Sequence, residues 1–176
     1  MYKRILVPLD GSELAEAVLS FAGILASQND AEIVLLRVAE YPSNMYSLCY
    51  EYPPIDPEVA AKLEEKKRAF CLEAKHYLEE LAARLEVSGY TVLVKVSEGP
   101  VVNTILDAAD NMHVDLIVMS THGHSGCEHR MIGTTSDRVL HEANVPVLLV
   151  RAMPNISVPN RLFQWQLLPQ QATPVR

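Results

Sequence analysis

Leu116-Ile117-Val118-Met119-Ser120-Thr121-His122-Gly123-His124-Ser125-Gly126 is an apolar run that turns abruptly polar and glycine-containing, and Gly133-Thr134-Thr135 follows Gly123 after nine intervening residues. A short, continuously apolar run is the mark of a strand buried on both faces. The pattern after Gly133 is helical, so the stretch reads as a parallel strand handing over to a helix. Glycine permits close approach and positive φ, and a helix start presents unpaired N–H groups with a favourable dipole. Backbone amides at such a junction can hold a phosphate. The bland reading is a glycine turn that serves no ligand.

The same strand, loop and helix rhythm runs through the rest of the chain. Ile5-Leu6-Val7-Pro8 is an apolar run closed by a turn signal, and Asp10-Gly11-Ser12 then offers two helix N-caps, Asp10 and Ser12. Ala15, Val18, Leu19, Ala22 and Leu25 recur on one helix face until Asn29-Asp30. Ile33 to Val38 reads as a second strand. From Glu58 to Val87 the positions Leu63, Phe70, Ala74, Tyr77, Leu81 and Leu85 predict a long amphipathic helix closed by Gly89. Thr91 to Val96 predicts a third strand, and Val101 to Met112 a helix. Leu116 to Met119 predicts the fourth strand, Thr135 to Glu142 a helix, and Val147 to Val150 a fifth strand opened by Pro146.

Five strands alternating with four helices predict an α/β fold with a doubly wound parallel sheet and right-handed crossovers. In such sheets ligands lie beyond the carboxyl ends of the strands, where the strand order reverses. Pro8-Leu9-Asp10, Val38 and the glycine segment all fall at carboxyl ends. A site shared by the first, second and fourth strands follows.

The 176-residue chain is long enough for one domain with a sizeable core. It is 49% hydrophobic and 21% charged, and no apolar stretch reaches the eighteen or so residues needed for a membrane span. Net charge is −7, which gives no broad attraction to nucleic acid. Cys49, Cys71 and Cys127 are odd in number and widely spaced, which fits thiols in a reducing compartment. The start leads at once into a strand rather than an export signal, and the expectation is a cytoplasmic protein.

Two segments break the rhythm. Between Ala39 and Glu58 lie four prolines and four tyrosines, and a connection of that length is either functional, as a lid beside the ligand, or poorly ordered. After Arg151 the tail, residues 152–176, contains Trp165 and four prolines without a clear period, and partial disorder or packing on a partner subunit is expected.

Three phrases in order now carry a resemblance: Ile5-Leu6-Val7-Pro8-Leu9-Asp10-Gly11-Ser12, Asp115 through Gly123, and Asn144-Val145-Pro146-Val147-Leu148-Leu149-Val150-Arg151. The chain resembles the universal stress protein family over residues 2–151, specifically its ATP-binding branch. That branch has a fingerprint of Gly, two residues, Gly, nine residues, Gly, then Ser or Thr. Here Gly123, Gly133 and Thr134 match it, and Ser120 stands at the first glycine. The resemblance implies a Rossmann-like, three-layered fold of the adenine nucleotide alpha hydrolase-like kind, with residues 1–151 as its domain. It implies that Pro8 and Asp10 border the adenosine, with Asp10 near the ribose, and that the Val38 backbone meets adenine. Ser120, Gly123, His124, Ser125 and Gly126 would line the phosphates, with amides and hydroxyls from Gly133, Thr134 and Thr135. It also implies ATP accompanied by magnesium or manganese, and a homodimer formed through the last strand.

Asp10 also reads simply as a helix N-cap, and both roles are compatible. His122, His124, Cys127 and His129 are metal-ligand types, but they share one loop with no paired motif elsewhere, so no dedicated zinc site is expected. The glycine segment lacks the lysine and spacing of a Walker A loop. Nor does Gly123-His124-Ser125-Gly126 form a nucleophile elbow, and no catalytic triad is found. The expected function is an ATP-binding stress-response protein that senses or buffers nucleotide and regulates a partner protein with little or no catalysis. The alternatives are a slow ATPase and a nucleotide-independent dimeric scaffold.

Overall fold

The structure, a computed structural model, describes residues 1–39, 57–121 and 132–151. The 39–58 connection beyond Ala39 and before Pro57, most of the glycine segment and the C-terminal tail lie outside these residues.

Five strands, β1 (Arg4–Pro8), β2 (Glu32–Ala39), β3 (Val92–Glu98), β4 (Leu116–Ser120) and β5 (Val147–Val150), form one parallel sheet in the order β3-β2-β1-β4-β5. The central strand β1 pairs with β2 on one side, Ile5 opposite Ile33, and with β4 on the other, Ile5 opposite Leu116. The chain therefore winds one way from β1 through β2 to β3, and the other way through β4 to β5. The doubly wound α/β fold expected from the apolar runs is the one observed.

The helices are α1 (Glu13–Glu16), α2 (Leu19–Asn29), α3 (Pro57–Val87), α4 (Val101–Asn111) and α5 (Thr134–Glu142). Two cores sit on opposite faces of the sheet, as period-two alternation along the strands dictates. Ile5, Val7, Ile33 and Leu35 face Ala22 and Ala26 of α2 and Leu78, Leu81 and Leu85 of α3. Leu6, Val34, Leu36 and Ile117 face Ile105 and Ala109 of α4 and Val139 of α5. Fully burying each aliphatic side chain contributes about 1.5–3 kcal/mol, and these alternating ranks hold the three layers together. Among the described residues no helix is long and apolar enough to cross a membrane.

The structure corrects three details. The single helix expected after Ser12 is two: the Val18 amide bonds to the Ala15 carbonyl at 3.3 Å, a tighter turn that separates α1 from α2. Of the two N-cap candidates Ser12 is the cap, its hydroxyl accepting the Ala15 amide at 3.1 Å. Asp10 is not. At the end of α3 the Tyr90 amide reaches Leu85 and the Gly89 amide reaches Glu86, with Gly89 at φ +90, which is the Schellman arrangement that Gly89 announces in the sequence. Phe70, placed on the apolar face of that helix, is 39% exposed.

Candidate functional site

The reversal of strand order places β1, between β2 and β4, at the switch point, and a cavity of about 770 Å³ opens at the carboxyl edge there. This volume is in the range of small-molecule sites. Its walls come from the ends of β1, β2 and β4, the starts of α4 and α5, and one side of α3.

On the β4 side, backbone bonds fix the wall. The Thr121 amide donates to the Val150 carbonyl at 3.0 Å, and the Gly133 amide donates to the Thr121 carbonyl at 2.7 Å. The buried Ser136 hydroxyl donates to the Ser120 carbonyl at 2.8 Å. These contacts bring the start of α5 to the end of β4. The N-cap of α5 is Gly133, whose lack of a side chain leaves the first turn without a side-chain capping acceptor. Gly133, Thr134 and Thr135 line the cavity, so the positive end of the α5 dipole borders it.

On the β1 side, the Leu9 amide bonds to the Leu36 carbonyl at 2.8 Å and carries Asp10 and Gly11 to the cavity rim. Oδ1 of Asp10 accepts the amide of Ser12 at 3.0 Å and its hydroxyl at 2.6 Å. Asp10 thereby orients the residue that caps α1.

A third wall was not foreseen. Arg37, near the end of β2, has its guanidinium carbon 5.3 Å from the centre of the Tyr77 ring on α3, within cation–π range. The Tyr77 hydroxyl donates to the Glu16 carboxylate at 3.1 Å, and Arg84 Nη2 lies 3.6 Å from the other Glu16 oxygen. Burial first, then the Glu16 charge and hydrogen bond, push the Tyr77 phenol far above its ordinary pKa, against the opposing charge of Arg37. The ring therefore stays neutral and available to the cation. Gly11 has φ +84, where a side chain is strained, and a Cβ there would press on the Arg37 guanidinium, so glycine suits both the turn and the packed guanidinium.

Of the residues singled out in the sequence, Pro8, Asp10, Val38, Ser120, Gly133, Thr134 and Thr135 line this one cavity. Gly123, His124, Ser125 and Gly126 lie outside the described residues, as do His122, Cys127 and His129. Arg37 and Tyr77 were missed as site residues. The signal was a lone charge inside the apolar run Ile33 to Val38, whereas Tyr77 was hidden in the helical period. No group of three or more His, Cys, Asp or Glu side chains is placed to hold a metal ion among the described residues. The Thr134 and Thr135 side chains are hard oxygen donors, of the type that magnesium or manganese takes together with phosphates and water.

The doubly wound sheet defines the class, an α/β protein with a cavity of small-molecule size at the carboxyl edge of its switch point. The chain belongs to the universal stress protein family, whose sequence model matches residues 1–151. It is 29% identical over 155 residues to universal stress protein MJ0577 of Methanocaldococcus jannaschii, covering 86% of this chain and 96% of that one. A solved structure of MJ0577 superposes with a TM-score of 0.74, covering 87% of this chain and 98% of the other. Universal stress protein A homolog 2 of Coxiella burnetii is 35% identical over 151 residues, 85% of this chain and 95% of its own. A family protein of Arabidopsis thaliana solved with AMP bound shares the fold at 16% identity, with a TM-score of 0.59 over 90% of this chain and 97% of that one.

Proposed function

We propose that the switch-point cavity binds ATP, and that the occupied and empty states of the protein differ in their action on a partner protein. The observation that carries this reading is the uncapped first turn of α5, Gly133 to Thr135, bordering a cavity of about 770 Å³ at the carboxyl edge. A nucleotide suits both halves of that cavity. Its phosphates lie against the α5 amides, its ribose against Asp10, and its base against the Val38 backbone with Val101 and Ile105 as apolar walls. The AMP bound in the Arabidopsis structure supports a nucleotide as the class of ligand. Gly123, His124, Ser125 and Gly126 complete the phosphate side in this reading, and a divalent cation accompanies the phosphates, with Thr134 and Thr135 as its protein donors.

Little or no turnover is part of the proposal. Asp10 is the carboxylate proposed beside the ribose, and its Oδ1 is engaged by Ser12. Binding without rapid chemistry suits a protein that reports or buffers nucleotide, acting as a homodimer paired through β5. Equilibrium dialysis with ATP and magnesium tests the reading: saturable binding below millimolar nucleotide is expected, and its absence sinks it. Phosphate release that disappears when Gly133 is replaced by a bulky residue would instead support the slow ATPase. A dimer whose melting temperature ignores ATP would support the nucleotide-independent scaffold, because a ligand that favours the folded state raises it.

A further inference from the structure

The Arg37 guanidinium has a feature that the 5′-phosphate chain of ATP does not account for. Among the described residues, its Nη1 is the one buried side-chain nitrogen or oxygen atom without a hydrogen-bond partner. Buried polar groups are almost always paired, and a guanidinium stays charged at any physiological pH. Nη1 is tucked against Gly11 while the side chain lines the cavity and stacks on Tyr77. The side chain is thus held at the cavity wall by packing, and an outward swing of the guanidinium by side-chain rotation would give the unpaired donor an acceptor in the cavity.

The direction of that swing limits what it meets. Arg37 continues the alternation of Ile33 and Leu35, whose face of the sheet carries α2 and α3, whereas α5 packs on the opposite face. A phosphate chain running to the α5 amides therefore leaves Arg37 at the other end of the cavity. The neighbour of Arg37 there is the Asp10-Gly11 turn, beside which the nucleotide reading places the ribose. We propose that Arg37 forms a second anion subsite, for a phosphate carried on the 2′ or 3′ oxygen of the ribose. The inference rests on the nucleotide reading and deepens it: the preferred adenine nucleotide is one phosphorylated on the ribose edge as well as at the 5′ position. A guanidinium matches a phosphate with two parallel N–H donors.

The test is calorimetric titration of the full chain with adenosine 5′-monophosphate, adenosine 3′,5′-bisphosphate and adenosine 2′,5′-bisphosphate. Wild type is expected to bind one bisphosphate about tenfold or more tightly than the monophosphate, the size of one charge-assisted contact, and the two bisphosphates identify the hydroxyl concerned. Arg37→Met removes the preference, read as the ratio of bisphosphate to monophosphate affinity within the variant, whereas Arg37→Lys, which keeps the charge without the fork, retains part of it. Thermal melts of both variants establish that they are folded, and Arg37→Lys supplies the comparison should Arg37→Met not fold. A wild type that binds the monophosphate without distinguishing either bisphosphate overturns the subsite alone, as does a preference that survives Arg37→Met. Failure of all three nucleotides to bind overturns the subsite, and failure of ATP with magnesium to bind in the same titration overturns the nucleotide reading as well.

Discussion

The Ser136 hydroxyl donates to the Ser120 carbonyl at 2.8 Å, and the two residues are 5% and 7% exposed. This bond joins the first turn of α5 to the last residue of β4, across the junction that the proposed phosphate side depends on. With Gly133 bonded to Thr121 and Thr121 to Val150, the end of β4 is tied at once to α5 and to β5. The helix start is thereby fixed relative to the sheet by short hydrogen bonds and not by packing alone.

Ser136→Ala removes the donor and leaves a buried carbonyl with one bond fewer. The expected cost is about 1 kcal/mol of stability, read from urea unfolding. Nucleotide affinity should fall with it, because the α5 amides lose their fixed position. A variant with unaltered stability and affinity would show that backbone bonds alone hold the junction.

Asp115, just before β4, accepts the Lys3 and Arg4 amides at 2.7 and 2.9 Å on Oδ2, and ties the start of β1 to the strand beside it. The Lys3 bond, then the Arg4 bond, hold its carboxyl below the ordinary value. A depressed folded pKa stabilises the protein above the unfolded value, about 3.9 for Asp, and that contribution is lost as pH falls through the folded one. Asp115→Asn should therefore be less stable than wild type at pH 6, with the gap narrowing toward pH 2. Urea midpoints at the two pH values check this.

The sheet was legible because both of its faces are covered, which forces near-continuous apolar runs such as Leu116 to Met119 and Ile33 to Leu36. Pro8 and Val38 were legible as cavity residues for a related reason, since carboxyl ends of parallel strands converge at the switch point whatever their side chains, whereas Gly133, the N-cap of α5, was legible from the glycine spacing. Other details depended on partners distant in sequence. Nothing near Arg37 or Tyr77 announces that the two stack, because the contact joins β2 to α3 over forty residues of chain. The choice of Ser12 over Asp10 as the α1 cap turned on which side chain reaches the Ala15 amide. The break at Val18 was invisible because the apolar period continues through it.

Tyr77→Phe keeps the ring under Arg37 and removes the bond to Glu16, at an expected cost of about 1 kcal/mol near neutral pH. The alkaline limb should also change. A phenol whose folded pKa is raised contributes stability that is present below the unfolded value of about 10 and is lost as pH rises through the folded one. The variant should therefore lose stability less steeply above pH 10 than wild type, which circular dichroism melts across pH 8 to 11 would register.

Gly89 sits at φ +90 after α3, with open space where a side chain would go. Only backbone strain opposes a substitution there. Gly89→Ala should cost about 1–2 kcal/mol, and Gly89→Asn less, because asparagine tolerates the left-handed region. Equal costs for the two would point to a contact rather than to conformation.

Whether an adenine nucleotide occupies the switch-point cavity is read from amide chemical shifts of the isotopically labelled protein titrated with ATP and magnesium. Saturable shifts are expected at Asp10, Gly11, Val38 and Gly133 to Thr135, with the far edge of the sheet near Arg4 and Asp115 unmoved. Shifts confined to other surfaces, or none at millimolar ATP, would contradict that occupancy.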